Sequence, residues 1–273
     1  MYEHGDGVDQ SNERALFYLK GAAEHDHVLA QYRLALHYLD GGIGLEPNLQ
    51  KADQFLRQAA HAGHPPAQRR LGCLYLEGLG PPSTTDHVRL QQYKSNKIAM
   101  EWFNRAAVRG DMQAYVLIGE CYEKGRGVHI NQKTALEYYR KAAETKSTYQ
   151  MNGQYALAEL LFRTGQAGDA FDWYKRASSH QHFESSFLKP IRRAKLMVAR
   201  YYLHGWAHVN TDKARAFHML KELSDHDGDS AHYWLASCYL EGIPDICNVD
   251  TSMAFKYYMK AAKAGHMDSQ FEV

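Results

Sequence analysis

Residues Met112–Ala143 read MQAYVLIGECYEKGRGVHINQKTALEYYRKAA and predict two helices joined by a glycine-containing turn. Small and apolar residues recur at helical spacing in both halves of this stretch. Between them, Gly125 and Gly127 predict the end of the first helix, because glycine adopts positive φ at little cost. Asn131 predicts the N-cap of the second helix. The stretch therefore predicts one complete helix pair.

The second helix of this pair recurs along the whole chain. Its pattern is Ala-x-x-aromatic-aromatic/Leu-x-x-Ala-Ala, with a Ser in the last place of one copy and a degenerate sixth copy. The copies begin at Ala15, Ala52, Ala99, Ala135, Ala170, Ala216 and Ala254. Their separations of 37, 47, 36, 35, 46 and 38 residues are typical of helix-pair repeats, with insertions in the two longer intervals.

Polar residues four positions before these alanines predict where the second helices begin. Six copies have a good N-cap residue there: Ser11, Asn48, Ser95, Asn131, Asp212 and Asp250. Gln166 is the exception. We expect Pro81–Ser95 to form a loop and Ser179–Lys189 to separate two repeats. Pro190 is then expected in the first turn of the following helix.

The first helices carry a second pattern, Ala-x-x-x-Leu/Ile-Gly/Ala-x-x-Tyr-x-x-Gly. It starts at Ala30, Ala67, Ala114 and Ala231, with a looser copy at Ala194. The two linked patterns resemble the Sel1-like repeat family, relatives of the tetratricopeptide repeats, over essentially the whole chain. The unit Gln154–Ser178 departs from the family pattern, because it has Gly165 but no Gly-x-Gly turn. The resemblance implies an all-α fold, an α/α solenoid forming a right-handed superhelix whose first helices line a concave face.

The repeats predict a single solenoid over residues 1–273, with about six full repeats and partial repeats at its ends. We place the units near 1–27, 28–64, 65–111, 112–148, 149–183, 184–228 and 229–266. Tyr2–Val8 matches the helix end Tyr122–Val128, and another repeat begins before Val273. We therefore expect the chain to be a segment of a longer protein.

Composition narrows the classes of partner. The formal charge is +1, from 32 Lys and Arg against 31 Asp and Glu, which does not favour nucleic-acid binding. No apolar run is long enough to insert in a membrane. The four cysteines, Cys73, Cys121, Cys238 and Cys247, show no stapling pattern, and no Asn-x-Ser/Thr sequon occurs. Both features favour an intracellular, cytoplasmic location.

The sequence contains no complete catalytic, metal or cofactor motif. The 16 histidines form chance pairs such as His61 and His64, without zinc-site spacing. Ser186-x-x-Lys189 lacks the partner motifs of the serine enzymes that it resembles. His64 and His266 occupy the same repeat position, which favours a structural role. We therefore predict no catalytic residue, no metal ligand and no cofactor, and a hydrolase or metal enzyme is the least favoured class.

The helical wheel suggests where a partner would bind. Offsets −1, 2, 6, 9 and 10 from the first alanine of each first helix point away from the core positions, and the resemblance implies that this side is the groove. The predicted partner-binding residues are Tyr32, Arg69, Glu120, Glu123, Lys124, Tyr155, Glu159, Arg163, Arg200, His204, Tyr233 and Glu241, with Asp40 and Glu77 on the same face.

These features favour a non-enzymatic adaptor that binds a protein or peptide partner in the concave groove. The resemblance implies two other tasks. One is regulation of a membrane enzyme, as in the fungal chitin synthase activators. The other is an adaptor in endoplasmic-reticulum degradation, against which the lack of a signal peptide and of sequons speaks.

Overall fold

The structure is a computed structural model that describes residues 11–78, 88–147, 149–180, 185–225 and 229–272. These residues are almost entirely helical and contain no β-strand, only a single bridge between Ile243 and Cys247. The α-helices are α1 Asn12–Glu24, α2 Val28–Asp40, α3 Leu49–His61, α4 Pro65–Leu76, α5 Val88–Val108, α6 Met112–Lys124, α7 Gln132–Glu144, α8 Gln150–Arg163, α9 Ala167–Ser178, α10 Ser185–His204, α11 Lys213–Ser224, α12 Asp229–Glu241, α13 Thr251–Lys263 and α14 Met267–Glu272. A 3-10 turn, Trp206–His208, follows α10.

The helices form two compact units, Met1–Tyr138 and Tyr139–Val273. In the first unit each helix from α1 to α6 packs on the next one in sequence. In the second unit the same holds from α8 to α14, and α10 also contacts α8. Packing between sequence neighbours is the arrangement of an α/α solenoid, so the predicted fold class is confirmed.

The repeated small and large residues build the core, as the pattern predicts. The first alanine of the second-helix pattern is at most 2% exposed in the six copies from Ala52 onward. The residue four positions later is buried in the same six copies, as Leu56, Phe103, Tyr139, Tyr174, Leu220 and Tyr258. Small residues let neighbouring helices approach, and the large residue of the next helix fills the space that remains.

Five of the six predicted N-caps are confirmed. Ser11, Asn48, Asn131, Asp212 and Asp250 each accept a hydrogen bond from the backbone N–H three residues on, at 2.9–3.3 Å. The exception expected at Gln166, which makes no side-chain capping bond, is also confirmed.

The prediction for Ser95 is wrong, because Ser95 lies inside α5. That helix begins at Val88, so the segment predicted as the loop Pro81–Ser95 is helical from Val88 onward. Neither proline nor glycine occurs between Val88 and Ser95, so nothing stops the helix from extending upstream.

The prediction that Pro190 lies in the first turn of a helix is also wrong. It lies inside α10, which begins five residues earlier at Ser185. Proline removes one backbone donor, yet Ile191 and Ala194 are buried directly after it, and this packing keeps the segment helical. The predicted separator Ser179–Lys189 is correspondingly shorter, because α10 already begins at Ser185. Its residues 181–184 lie outside the described residues. The same is true of Tyr2–Val8 and Gly80, which the repeat patterns include.

The first helices also have side-chain caps. The Nδ1 atoms of His27 and His64 accept the backbone N–H groups of Ala30 and Ala67 at 3.2 and 3.3 Å. Asp111 does the same for α6 through its Oδ1. The structural role expected for His64 is therefore confirmed, and it is the capping of α4.

A buried glutamine joins successive helix pairs, which the sequence did not predict. Gln31, Gln68 and Gln154 are 2–3% exposed and each follows the first small residue of a first helix. Each Nε2 donates to the carbonyl of an alanine at the end of the preceding second helix, at 2.9–3.4 Å. These alanines sit beside the buried core, so without the amide their carbonyls would lose a hydrogen bond that water cannot replace.

Candidate functional site

In the first unit, the predicted groove residues are engaged with neighbouring parts of the fold. The Tyr32 ring lies 4.7 Å from the His64 ring. The Nε of Arg69 lies 2.9 Å from the Oδ2 of Asp111, whose other oxygen caps α6. Tyr32 and Arg69 therefore support the N-termini of the following helices.

The acidic and basic residues predicted on α6 form a local pair. The Nζ of Lys124 lies 3.3 Å from the Oε2 of Glu120, one turn earlier, and Glu123 is half-buried on the same helix. An exposed i,i+4 pair contributes a few tenths of a kcal/mol. These residues present charge, but they enclose no pocket that the structure describes.

In the second unit, the predicted residues from α10 and α12 come together. Arg200, His204 and Tyr233 meet two tryptophans that the sequence analysis did not select, Trp206 and Trp234. We call these five residues the tryptophan cluster. Trp206 lies in the 3-10 turn after α10, and Trp234 lies on α12.

Arg200 lies between the two indoles. Its Cζ is 4.9 Å from the ring centroid of Trp206 and 4.9 Å from that of Trp234. One terminal nitrogen, Nη1, contacts the Sδ of Met197 at 3.2 Å, and Nε is buried without a hydrogen-bond partner. Burial lowers the pKa of the guanidinium, which still remains charged at neutral pH.

His204 packs in the same cluster. Its ring stacks on Trp206 with a centroid distance of 5.1 Å and meets Trp234 edge-on at 5.2 Å. Partial burial lowers the pKa of His204, and the charge of Arg200 lowers it further. The imidazole is therefore neutral at pH 7, so Arg200 carries the positive charge of the cluster.

A pocket of about 280 Å³ opens beside the cluster, between α10 and α12. Its lining is mixed: apolar surface comes from Leu203, Tyr233, Trp234 and Ile243, and polar groups come from His204, Lys213, Ser237 and Glu241. At its side, the Nζ of Lys213 lies 3.3 Å from the Oε2 of Glu241, and both side chains are largely exposed. The predicted residues Tyr233 and Glu241 thus line one cavity with His204.

The predicted residues of α8 have a different role. The Oη of Tyr174 donates to the Oε1 of Glu159 at 2.6 Å, and Tyr155 also hydrogen-bonds to Glu159. Burial, with the nearby carboxylate, raises the pKa of Tyr155 to about 12 and that of Tyr174 well above its usual range. The Nε of Arg163 donates to the backbone oxygen of Glu159 at 3.3 Å. The carboxylate of Glu159 is therefore committed to two tyrosines.

Both missed tryptophans had signals in the sequence. Trp234 stands three residues after Ala231, about 20° on a helical wheel from offset 10 of the predicted groove face. Trp206 follows Gly205 directly, at a turn position that other repeats fill with Gly42 or Arg126. A large aromatic residue in a turn is a marker for an interaction surface.

The described residues contain no group of three His, Cys, Asp or Glu side chains placed to hold a metal ion. Burial raises the pKa of the Cys121 and Cys238 thiols to about 12, so neither is ionised at neutral pH. None of the helices in the described ranges is long and apolar enough to cross a membrane.

The family model of the Sel1 repeat matches most of the chain. It matches residues 1–27, 28–64, 65–89, 90–111, 113–144, 152–182, 192–227 and 229–266. The region predicted as one unit, 65–111, is matched in two parts that meet within α5.

Two curated relatives are regulators of chitin synthases. The chitin synthase regulator SKT5 of Saccharomyces cerevisiae is 27% identical over 182 residues, which is 63% of this chain and 25% of that protein. Chitin synthase regulatory factor 2 of Schizosaccharomyces pombe is 28% identical over 175 residues, which is 60% of this chain and 32% of that protein. The chain thus spans a quarter to a third of the length of the curated relatives that it matches.

Solved structures agree with the fold. A Sel1 repeat protein from Oxalobacter formigenes superposes with a TM-score of 0.68 and 26% identity, covering 88% of this chain and 84% of that one. The protective antigen c5321 of uropathogenic Escherichia coli, which displays an SLR fold, gives a TM-score of 0.54 and 20% identity, over 98% of this chain and 61% of that one. The second likeness concerns the fold alone.

Proposed function

The chain belongs to the Sel1 repeat family, and from this we propose that it is a non-enzymatic scaffold that binds a peptide segment of a partner protein. Sel1 repeat proteins are in general protein-interaction scaffolds. The observation that supports a location is the tryptophan cluster beside its pocket. Tryptophan, tyrosine and arginine contribute most of the binding energy in many protein interfaces.

This proposal narrows the predicted groove to the second unit. Arg69 forms an ion pair with a helix cap, and Glu159 satisfies two tyrosine hydroxyls. Their substitution would disturb the fold as well as any interface. Arg200 forms no ion pair within the described part of the chain, and Trp234 lines the pocket, so these two residues are better candidates for contact with a partner.

The test is direct binding of purified proteins. Partners captured by the immobilised chain are identified by mass spectrometry, purified and titrated against the wild type and against Trp234→Ala. We expect the dissociation constant to rise at least about tenfold, because truncating an interface tryptophan typically costs more than 1.4 kcal/mol.

Trp173→Ala is the matched control, since Trp173 on α9 also stacks an arginine, Arg176, at 4.6 Å but lies away from the cluster. Its affinity should stay within about twofold of the wild type. Purified partners that bind Trp234→Ala as tightly as the wild type would contradict the placement.

A second task, regulation of a chitin synthase, is favoured by the two fungal relatives. To test it, the segment of S. cerevisiae SKT5 that matches this chain is replaced by the chain itself, and cell-wall chitin is measured. If the proposal is right, the chimaera restores chitin to a strain that lacks the regulator, and the Trp234→Ala chimaera does not. Equal chitin with and without the chimaera would argue against this task.

An intracellular location is part of the same proposal. It is checked by imaging the full-length protein with a fluorescent tag at either end. Cytoplasmic signal, or signal on the cytoplasmic side of a membrane, agrees with it. Signal in the lumen of the endoplasmic reticulum would instead support the adaptor of protein degradation.

A further inference from the structure

We propose that Arg200 binds the side-chain carboxylate of an Asp or Glu in the partner peptide, while a large apolar side chain next to that residue enters the pocket beside Trp234. This inference rests on the proposed function and specifies the chemistry of the peptide. It follows from the charge, the stacking and the surroundings of Arg200.

The first argument is the charge of Arg200, which forms no ion pair in the described part of the chain, although Glu159 attracts it at longer range. Its Nε is buried and makes no hydrogen bond, and Nη1 contacts only a thioether sulfur, which is a weak acceptor. A half-buried guanidinium normally forms ion pairs or several hydrogen bonds, because removing it from water is costly. A carboxylate supplied by a partner would form an ion pair with the guanidinium and accept its hydrogen bonds.

The second argument is the stacking. The indoles of Trp206 and Trp234 both contact the guanidinium, each with its centroid 4.9 Å from Cζ, and their planes are steeply inclined to each other, because the His204 ring stacks on one and meets the other edge-on. The two ring contacts restrict the orientation of the guanidinium. With Nε buried, the terminal nitrogens remain, and their donors lie in the plane in which a carboxylate binds.

The third argument is that the carboxylates nearby are already in use. Glu159 accepts hydrogen bonds from Tyr174 and Tyr155. Glu241 pairs with Lys213 at the side of the pocket. Glu159 does not move to Arg200 without leaving the buried hydroxyl of Tyr174 unpaired, so a partner is a better source of the anion than this carboxylate.

The same surroundings favour a single negative charge over a phosphate. His204 is neutral at pH 7, because its pKa is lowered, and Lys213 is paired. Arg200 is thus the one cation of the tryptophan cluster, and Glu159 and Glu241 repel a dianion. Phosphate sites usually supply several donors or cations, whereas a single guanidinium matches a carboxylate.

The pocket determines the second feature of the peptide. Its volume of about 280 Å³ is just below the range of roughly 300–1,000 Å³ that is usual for small-molecule sites, and suits one large side chain. Leu203, Tyr233 and Ile243 make one part of its lining apolar, and Trp234 also contacts Arg200. Polar groups of Lys213, Ser237 and Glu241 line the rest of the pocket. A residue next to the acidic one in an extended peptide therefore reaches the pocket.

The experiment uses an array of N-acetylated, C-amidated peptides. Each has a central Glu followed, one or two positions later, by Leu, Phe, Tyr or Trp, and matched peptides carry Gln, Ser or phosphoserine in place of the Glu. Dissociation constants of the best peptides are then measured by fluorescence anisotropy. On the wild-type protein, we expect Glu→Gln in the peptide to raise the dissociation constant at least about tenfold.

A double-mutant cycle assigns this effect to Arg200. On Arg200→Gln, the Glu and Gln peptides should bind within about twofold of each other, because the charged hydrogen bond is already lost. Arg176→Gln, which removes another tryptophan-stacked arginine from the same unit, should preserve the full tenfold difference. The comparison of peptides on the wild-type protein remains decisive even if Arg200→Gln does not fold.

Four results would overturn the inference. The first is a Glu→Gln effect below twofold on the wild type, and the second is tighter binding of the phosphoserine peptides. The third is binding that requires a free C-terminal carboxylate, tested with non-amidated copies, and the fourth is an array without any binding peptide. The proposed scaffold function would survive each of these results if a purified partner still bound in a Trp234-dependent way.

Discussion

Gly153 shows how a single side-chain atom sets the distance between two helices. A Cβ at this position would lie 2.6 Å from the backbone of both Ala142 and Ala143, which end α7. Gly153 occupies the place that Ala30, Ala67 and Ala114 fill in other repeats. Here the helices approach more closely, so the first small residue of the repeat has to be glycine.

We expect Gly153→Ala to lower the free energy of unfolding by about 1–3 kcal/mol, because backbone atoms of α7 cannot move aside as a flexible side chain would. Urea denaturation followed by circular dichroism measures the change. Gly168→Ala in α9 is the matched control, since nothing lies within 4 Å of its added Cβ, and it should gain up to about 1 kcal/mol from helix propensity. Similar stabilisation by both changes would show that α7 and α8 are not in close contact.

The residues of the candidate surface illustrate what periodicity can and cannot predict. Arg200, His204 and Tyr233 were placed on one face from helical spacing, and the structure brings them together. Helical spacing did not predict the position of Trp206, because this residue lies in a turn. In that turn Ala207 and His208 have φ of 53° and 63°. Positive φ at non-glycine residues follows from tertiary packing, which spacing along a helix does not encode.

At the scale of the element, the N-termini of the first helices are capped by side chains of different chemistry. His27, His64 and Asp111 all accept the N–H of the alanine three residues later. A carboxylate is an acceptor above about pH 4, whereas an imidazole nitrogen accepts only while it is unprotonated. Repeats capped by histidine are therefore more sensitive to acid than repeats capped by aspartate.

His64 provides the test. Burial lowers its pKa, and Asp111 offsets this only in part, so the folded state favours the neutral ring. The unfolded chain binds the proton first, near its ordinary pKa of about 6.5. The stability that His64 contributes is therefore complete above that pH and is lost as the pH falls below it.

The variant His64→Asn keeps a neutral capping group that does not titrate. We expect the wild type to lose more free energy of unfolding than His64→Asn when the pH falls from 7.5 to 5, measured by urea denaturation. The exposed His129, changed to Asn, should leave the pH dependence of the wild type unaltered. An equal loss in wild type and His64→Asn would show that the cap does not respond to protonation.

The elements that the sequence predicted well are those that repeat. Alanine and aromatic spacing identified every second helix, because buried small and large residues leave a strict period. The starts of α5 and α10 were wrong for a common reason. A capping residue such as Ser95 starts a helix only if the chain before it is not helical, and a proline such as Pro190 is tolerated inside a helix that packing holds in place.

At the scale of the whole molecule, packing between sequence neighbours limits how far a local change acts. Within each unit the main contacts join consecutive helices, so stability is close to a sum over repeats and their interfaces. Loss of one interface should first open the helices next to it.

Hydrogen exchange measured by mass spectrometry on Gly153→Ala tests this view. We expect amide exchange to accelerate in α8 and α9 more than in α2, α3 and α4, because α8 forms part of the altered interface and α9 packs on α8. Uniform acceleration across all these helices would mean that the chain opens as one cooperative body.

The glutamine that joins successive helix pairs has a consequence for how such chains grow. Gln31, Gln68 and Gln154 each carry the donor for a carbonyl of the preceding pair, so each of these three junctions is completed by residues on its two sides alone. A gene duplication that copies the segment from one glutamine to the next inserts a unit whose new junctions already match. At such a junction a whole repeat can be added without a compensating substitution for this hydrogen bond.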